Sequence, residues 1–169
     1  MKKIILLVCM LFMMANTAYA SELTWETAPG HHGQSTLLEP EFKSSQDTVQ
    51  RYGKGEYLST GRVEIVNQGD GSIYICVDTL AHVEVDRIRH TVFLDQWDEK
   101  AKNWVQVDSW NFERTKEDVG ELSAMTDTIT IRNVATNRYY RARALHMVEI
   151  GDEIEGCATE TDGVLITKD

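Results

Sequence analysis

Proline is scarce in this chain: two occur, Pro29 and Pro40, both near the start. Their distribution excludes a proline-rich linker or polyproline recognition segment further along. Cysteine is as scarce, with three copies, too few for a disulfide-dense scaffold. Positive charge also falls short, since 17 Lys and Arg against 27 Asp and Glu leave a formal net charge of −10. A surface of that sign repels nucleic acid and anionic membranes, so neither is expected as a partner. The G-x-S-x-G nucleophile turn of hydrolases is absent, and no stretch carries the apolar period of a core helix.

Long apolar runs are missing except for one. Ile4–Ala15 is twelve residues long, short of the roughly 20 that a spanning helix needs. Lys2 and Lys3 precede it, and Asn16–Ala20 follows with the small residues of an A-x-A cleavage site. This is the pattern of a signal peptide over residues 1–20, cleaved after Ala20. A lipid anchor at Cys9 is disfavoured, because Val8 is bulkier than the small residue such a site wants. Export followed by cleavage leaves 149 residues with no membrane insertion and, without Lys2 and Lys3, a formal charge of −12. Cys76 and Cys157 then remain, and the default for an exported pair is a disulfide. It would close a loop of about 80 residues and add roughly 4–5 kcal/mol in the chain-entropy model.

Residues 21–55 hold both prolines, the pair His31 and His32 and a polar run from Lys43 to Asp47. They lack apolar periodicity and read as an extended arm or linker. From residue 56 to 169 the pattern becomes short alternating runs separated by turns. Gly61–Val66 and Ser72–Val77 form a hairpin around Asn67–Gly71. Arg87–Leu94, Trp104–Val107, Asp127–Arg132, Thr136–Glu149 and Gly156–Thr167 follow, with room for a helical turn between Lys116 and Met125. Seven β-segments of this kind predict an Ig/fibronectin-III-like antiparallel β-sandwich, with a jelly roll as the alternative strand order.

The stretch Thr136–His146 gathers two tyrosines, three arginines and a histidine, which suggests a ligand site. Period two separates them: Tyr140, Ala142 and Ala144 face the interior, and Arg141 and Arg143 face solvent and the abundant carboxylates. Tyr140 follows an Asn-containing corner, where sandwich domains place a tyrosine whose hydroxyl pins the turn.

Candidate chemistry is thin. His31 and His32 have no third ligand at a helpful spacing, and Gln68–Ser72 carries one carboxylate where calcium loops use several, so no metal is expected. A thiol enzyme would need Cys76 or Cys157 free beside a histidine, which the expected disulfide prevents. No catalytic residue and no cofactor is expected. The tryptophans are the more promising group. Trp104, Trp110 and Phe112 share a parity opposite to Val105 and Val107, so inward valines would turn Trp104 and Trp110 outward. Trp97 lies across the same hairpin. Outward tryptophans can form a flat platform for a sugar ring or a partner side chain.

Several runs in sequence carry a resemblance: Asp78–Ala81, Val85–Ile88, Thr91–Leu94, Trp104–Val107, Tyr139–His146, Glu155 and Asp162–Ile166. Their order and spacing, over roughly Arg62 to Ile166, resemble a family of small secreted proteins of Gram-positive bacteria whose function is unknown. That resemblance implies a signal peptide and one β-rich domain, and brings no activity. The Tyr140, Ala142, Ala144 strand is also similar to one in fibronectin type III modules, a likeness of fold alone.

The sequence therefore supports a secreted, non-catalytic recognition module, with a glycan, the cell wall or a host protein as its partner at the cell exterior. Trp97, Trp104 and Trp110 are its candidate ligand residues. The alternative is an exported structural protein that assembles with itself or a partner through the arm.

Overall fold

The computed structural model describes residues 23–53 and 57–168. The signal peptide, Cys9, the cleavage point after Ala20 and the expected boundary at residues 55 and 56 lie outside them. The described chain is nearly all β. Its strands are β1 (Ser44–Gln50), β2 (Leu58–Asn67), β3 (Ile73–Ala81), β4 (Arg87–Asp98), β5 (Asn103–Thr115), β6 (Ala124–Ile131), β7 (Arg138–Ile150), β8 (Glu153–Glu160) and β9 (Val164–Ile166). A single-turn helix, α1 (Lys116–Val119), follows β5 and is capped by Thr115 and Asp118.

Two antiparallel sheets pack face to face. One has the order β1-β2-β3-β6; the other runs β5-β4-β7-β8, with β9 also paired to β7. β8 and β9 are one edge strand interrupted by a slip. Arg143 pairs with Glu160, whereas Tyr140 pairs with Val164, one residue out of step. Thr161 bridges the slip, its hydroxyl accepting the Ala142 amide at 3.0 Å.

Alternation builds the core as expected. Val63, Ile65, Ile73, Ile75 and Val77 of the first sheet meet Val92, Leu94, Tyr140, Ala142 and Ala144 of the second. The Tyr140 hydroxyl donates to the Ala135 carbonyl at 3.2 Å, so the corner tyrosine takes the expected role. β1 is the strand that lies inside the segment expected to be an arm. Its inward residues are Ser45, Asp47 and Val49, and two of them accept hydrogen bonds rather than pack: Ser45 from the Asp162 amide and Asp47 from the Glu160 amide. A strand that joins its sheet through polar side chains leaves no apolar period to read.

The expected disulfide is not formed; both thiols are free. Period two explains why. With Ile73, Ile75 and Val77 in the core, Cys76 points to the outer face of its sheet, 3.8 Å from the Asp78 carboxylate. Cys157 lies between the sheets, packed with Leu58, Ile88 and Val148. The backbone of the first sheet separates the two sulfurs, and no rotamer change can bring them into bonding geometry.

Gly61 of β2 is what admits the interior side chains. A Cβ there would come within 2.6 Å of Cys157 Sγ and 2.7 Å of the His146 ring, a clash that a close-packed interior cannot absorb cheaply.

Cys157 should therefore react with a thiol reagent only after denaturation, Cys76 slowly in the folded chain, and a reductant should leave the urea midpoint unchanged. A midpoint that drops on reduction would mean the sulfurs are bridged after all.

Candidate functional site

The outer face of the β4–β7 pair carries Arg141 and Arg143 of the Thr136–His146 stretch, and they do not face solvent. Arg141 is 8% exposed and its partner Asp95 1%. Asp95 Oδ2 accepts from Arg141 Nε at 2.9 Å and from Arg143 Nε at 2.7 Å, while Arg143 Nη2 reaches Oδ1 at 3.0 Å. Arg141 Nη1 also pairs with Glu160 at 2.8 Å. Two cations and two anions thus close on one another.

What covers them is the segment before β1. It runs parallel to the β8–β9 edge, bridging Gly30 to Ala158 and Leu37 to Gly163. Ser35 donates to the Glu160 carboxylate at 2.8 Å. Trp25 stacks on the Arg143 guanidinium at 4.7 Å, and Leu23 and Trp25 pack on Leu145, Met147 and Ala158. The parity reading assigned the arginines to the right face. It could not show that this face lies beneath the chain's own N-terminal segment. His31 is engaged too, its Nδ1 lying 2.7 Å from Asp47, while His32 packs edge-on against Trp25. Among the described residues no cluster of three potential metal ligands occurs.

The three tryptophans separate. The β4–β5 ladder pairs Leu94 with Asp108 but Asp95 with Gln106, so Val107 is an extra residue, a β-bulge. Parity reverses there. Trp110 and Phe112 turn inward and pack against the core. Trp104 turns to the outer face, where Arg141 stacks on it at 4.7 Å, and Trp97 meets it edge-on at 5.3 Å. The sequence expectation of a shared outward face fails for Trp110 because no residue pattern announced the bulge. The valines do not serve as core either: Val105 is 45% and Val107 48% exposed.

Those valines belong to an open groove of about 470 Å³ at the tip of the β4–β5 hairpin, lined also by Gln96, Trp97, Asp98, Glu99, Lys100 and Arg138. Every lining residue comes from the second sheet and its turn, so the hairpin overhangs the sandwich and its apolar side chains go uncovered. A second groove of about 400 Å³ runs along the covering segment between Trp25, Phe93, Met147 and Ile154.

The interior holds a further polar array, which the sequence did not reveal. Asp127 Oδ2 lies 2.8 Å from His90 Nδ1, and His90 Nε2 lies 2.7 Å from Thr79 Oγ1. Thr79 continues to His146 Nδ1 at 2.9 Å, and His146 Nε2 to Thr159 at 2.8 Å. His90, Thr79, His146 and Thr159 are fully buried. His146 is the strand partner of Cys157, so a free thiol does stand beside a histidine. The pair is nonetheless inert. Burial and the nearby His90 hold His146 well below its ordinary pKa, and burial pushes the Cys157 thiol up to about 12. A thiol nucleophile needs the opposite shifts, a lowered thiol beside a protonated imidazole. Burial, not a disulfide, is what disfavours the ionised forms of this pair.

Over residues 20–164 the chain matches a family of unknown function (DUF6147), and it belongs to that family. No curated protein matches it.

Asp95→Ala would leave two buried guanidinium groups short of their shared partner, with an expected cost of about 3–5 kcal/mol in chemical denaturation. Protonation gives a second test. The folded pKa of His146 lies below the unfolded value, so the unfolded chain takes up the proton first as pH falls. Stability should be complete above about pH 6.5 and decline below it, by at most about 1.4 kcal/mol per pH unit. Urea midpoints at pH 7.5 and 5.5 should differ in the native chain and converge in His146→Asn.

Proposed function

We propose that this family member is a secreted, non-catalytic recognition module that engages a glycan at the cell exterior through its β4–β5 hairpin. The observation that carries the reading is the overhanging groove, where Val105 and Val107 stay uncovered beside the half-buried Trp97. Trp25 and Trp104 are stacked on the chain's own arginines, and Trp97 presents to the groove the part of its ring that Trp104 leaves open. A concave, partly apolar surface with polar groups at its rim suits a sugar ring, whose C–H faces pack on aromatics while its hydroxyls seek hydrogen bonds. The Gln96 side-chain amide in the groove offers both a donor and an acceptor.

Several features support the remaining parts of the proposal. Export rests on the basic, apolar and small-residue pattern of residues 1–20, and a Gram-positive source rests on the resemblance of the strand motifs. An Ig/fibronectin-III-like type is supported by the corner tyrosine and by β2-β3-β6 facing β5-β4-β7-β8. The non-catalytic reading draws on the sealed interior, where burial holds the His146 imidazole and the Cys157 thiol in their neutral forms. Assembly through the arm is the less supported role, because residues from Leu23 to Leu38 are spent on this chain's own β8–β9 edge.

Titration of the exported chain with a panel of neutral and acidic oligosaccharides, read by tryptophan fluorescence, tests the proposal. A saturable change is expected that weakens roughly tenfold, about 1.4 kcal/mol, in Trp97→Ala and persists in Trp110→Phe. Silence across the whole panel would defeat the recognition reading.

A further inference from the structure

The charges of the hairpin groove narrow its ligand. Four charged side chains line it: Asp98, Glu99, Lys100 and Arg138. The two anions are already engaged. Asp98 Oδ1 accepts the amides of Lys100 at 2.8 Å and Ala101 at 3.0 Å, closing the turn. Glu99 pairs with Lys102 at 2.9 Å. These bonds hold both carboxyls below the usual carboxylate range, so they remain ionised and committed.

The two cations differ. Among the described residues neither the Lys100 nor the Arg138 side chain makes a hydrogen bond or ion pair, and both are exposed, although Arg138 lies near enough to Glu99 to help lower its pKa. Arg62, Arg87, Arg89, Arg141 and Arg143 each grip a carboxylate of this protein. Among the described residues Arg138 does not, nor do Arg114 and Arg132, but of these three only Arg138 lines the groove, beside the exposed Val105 and Val107.

We infer that the groove takes a glycan bearing an isolated carboxylate, a uronic-acid-type sugar, with the carboxylate received by Arg138 and Lys100 and the ring packed on Trp97. The inference rests on the reading of the hairpin as a glycan site. Its chemistry is specific: a planar guanidinium matches a carboxylate with two parallel hydrogen bonds, which a hydroxyl cannot reproduce. Selection is local, because the attraction acts within a screening length of about 8 Å at physiological salt, whereas the net charge of −10 repels a dense polyanion. The site therefore favours a short ligand with one carboxylate over a long polyuronate. A sugar is favoured over a peptide terminus because the Gln96 amide stands in the same groove, suited to a vicinal hydroxyl pair.

The test compares an oligosaccharide carrying one glucuronate with its carboxyl-reduced form, and both with an apolar peptide having a free C-terminal carboxylate. The probes are titrated against the native chain, Arg138→Gln, Lys100→Gln and the control Arg132→Gln, whose residue lies outside the groove. The acidic sugar is expected to bind roughly tenfold more tightly than its reduced form. Arg138→Gln and Lys100→Gln should erase that preference while leaving affinity for the reduced sugar unchanged, and Arg132→Gln should do nothing. Equal binding of the two sugars would overturn the carboxylate inference and keep the glycan reading. A response to the peptide alone, or to no probe, would overturn both.

Discussion

One chain of side-chain hydrogen bonds crosses the sandwich, and the packing around it is arranged on its terms. Asp127 of β6, His90 of β4, Thr79 of β3, His146 of β7 and Thr159 of β8 follow one another at 2.7–2.9 Å. Imidazoles and hydroxyls buried between sheets are costly unless every polar atom is paired, and here each ring nitrogen has a partner. The chain divides the apolar core into two clusters, one around Ile75 and Val92, the other around Leu58 and Val148. It also accounts for Gly61, since the neighbouring strand has room for His146 and Cys157 only by giving up a side chain. A hydrophobic sandwich can slide in register; one pinned by a directional chain through five strands has a single alignment.

The outer face of the second sheet follows a related rule with charge. Asp95 and Glu160 neutralise Arg141 and Arg143, and the segment from Leu23 to Leu38 then covers them with Trp25, Ser35 and Leu37. Covering a charge knot is tolerable only when its members are matched. The same segment shields the β8–β9 edge, whose free backbone groups would otherwise invite pairing with another chain. At the hairpin tip, beyond the reach of the first sheet, Val105 and Val107 remain uncovered.

Much of the architecture was legible because alternation is a local signal. The strands around Ile75, Val92 and Ala142 and the corner at Tyr140 follow from period two and turn chemistry. Alternation fails where a strand is held by polar contacts, as β1 is through Ser45 and Asp47, and where one inserted residue reverses parity, as Val107 does between Trp104 and Trp110. Trp104 and Trp110 share a strand but not the face that parity assigned them, for that reason. Arg138 and Lys100 carried no sequence signal, since which cations line the hairpin groove depends on the turn and on the neighbouring strand.

By itself the sequence determined the all-β class, the inward face of each central strand and the acidic balance, because each depends on residue type and on spacing over a few neighbours. Only the tertiary structure decided the rest. It set the two thiols on opposite sides of a sheet, laid the N-terminal segment over the arginines, joined two distant histidines through a threonine and left one hairpin exposed. Those outcomes depend on which strands lie beside and above one another, a relation between residues far apart in the chain that no local pattern encodes.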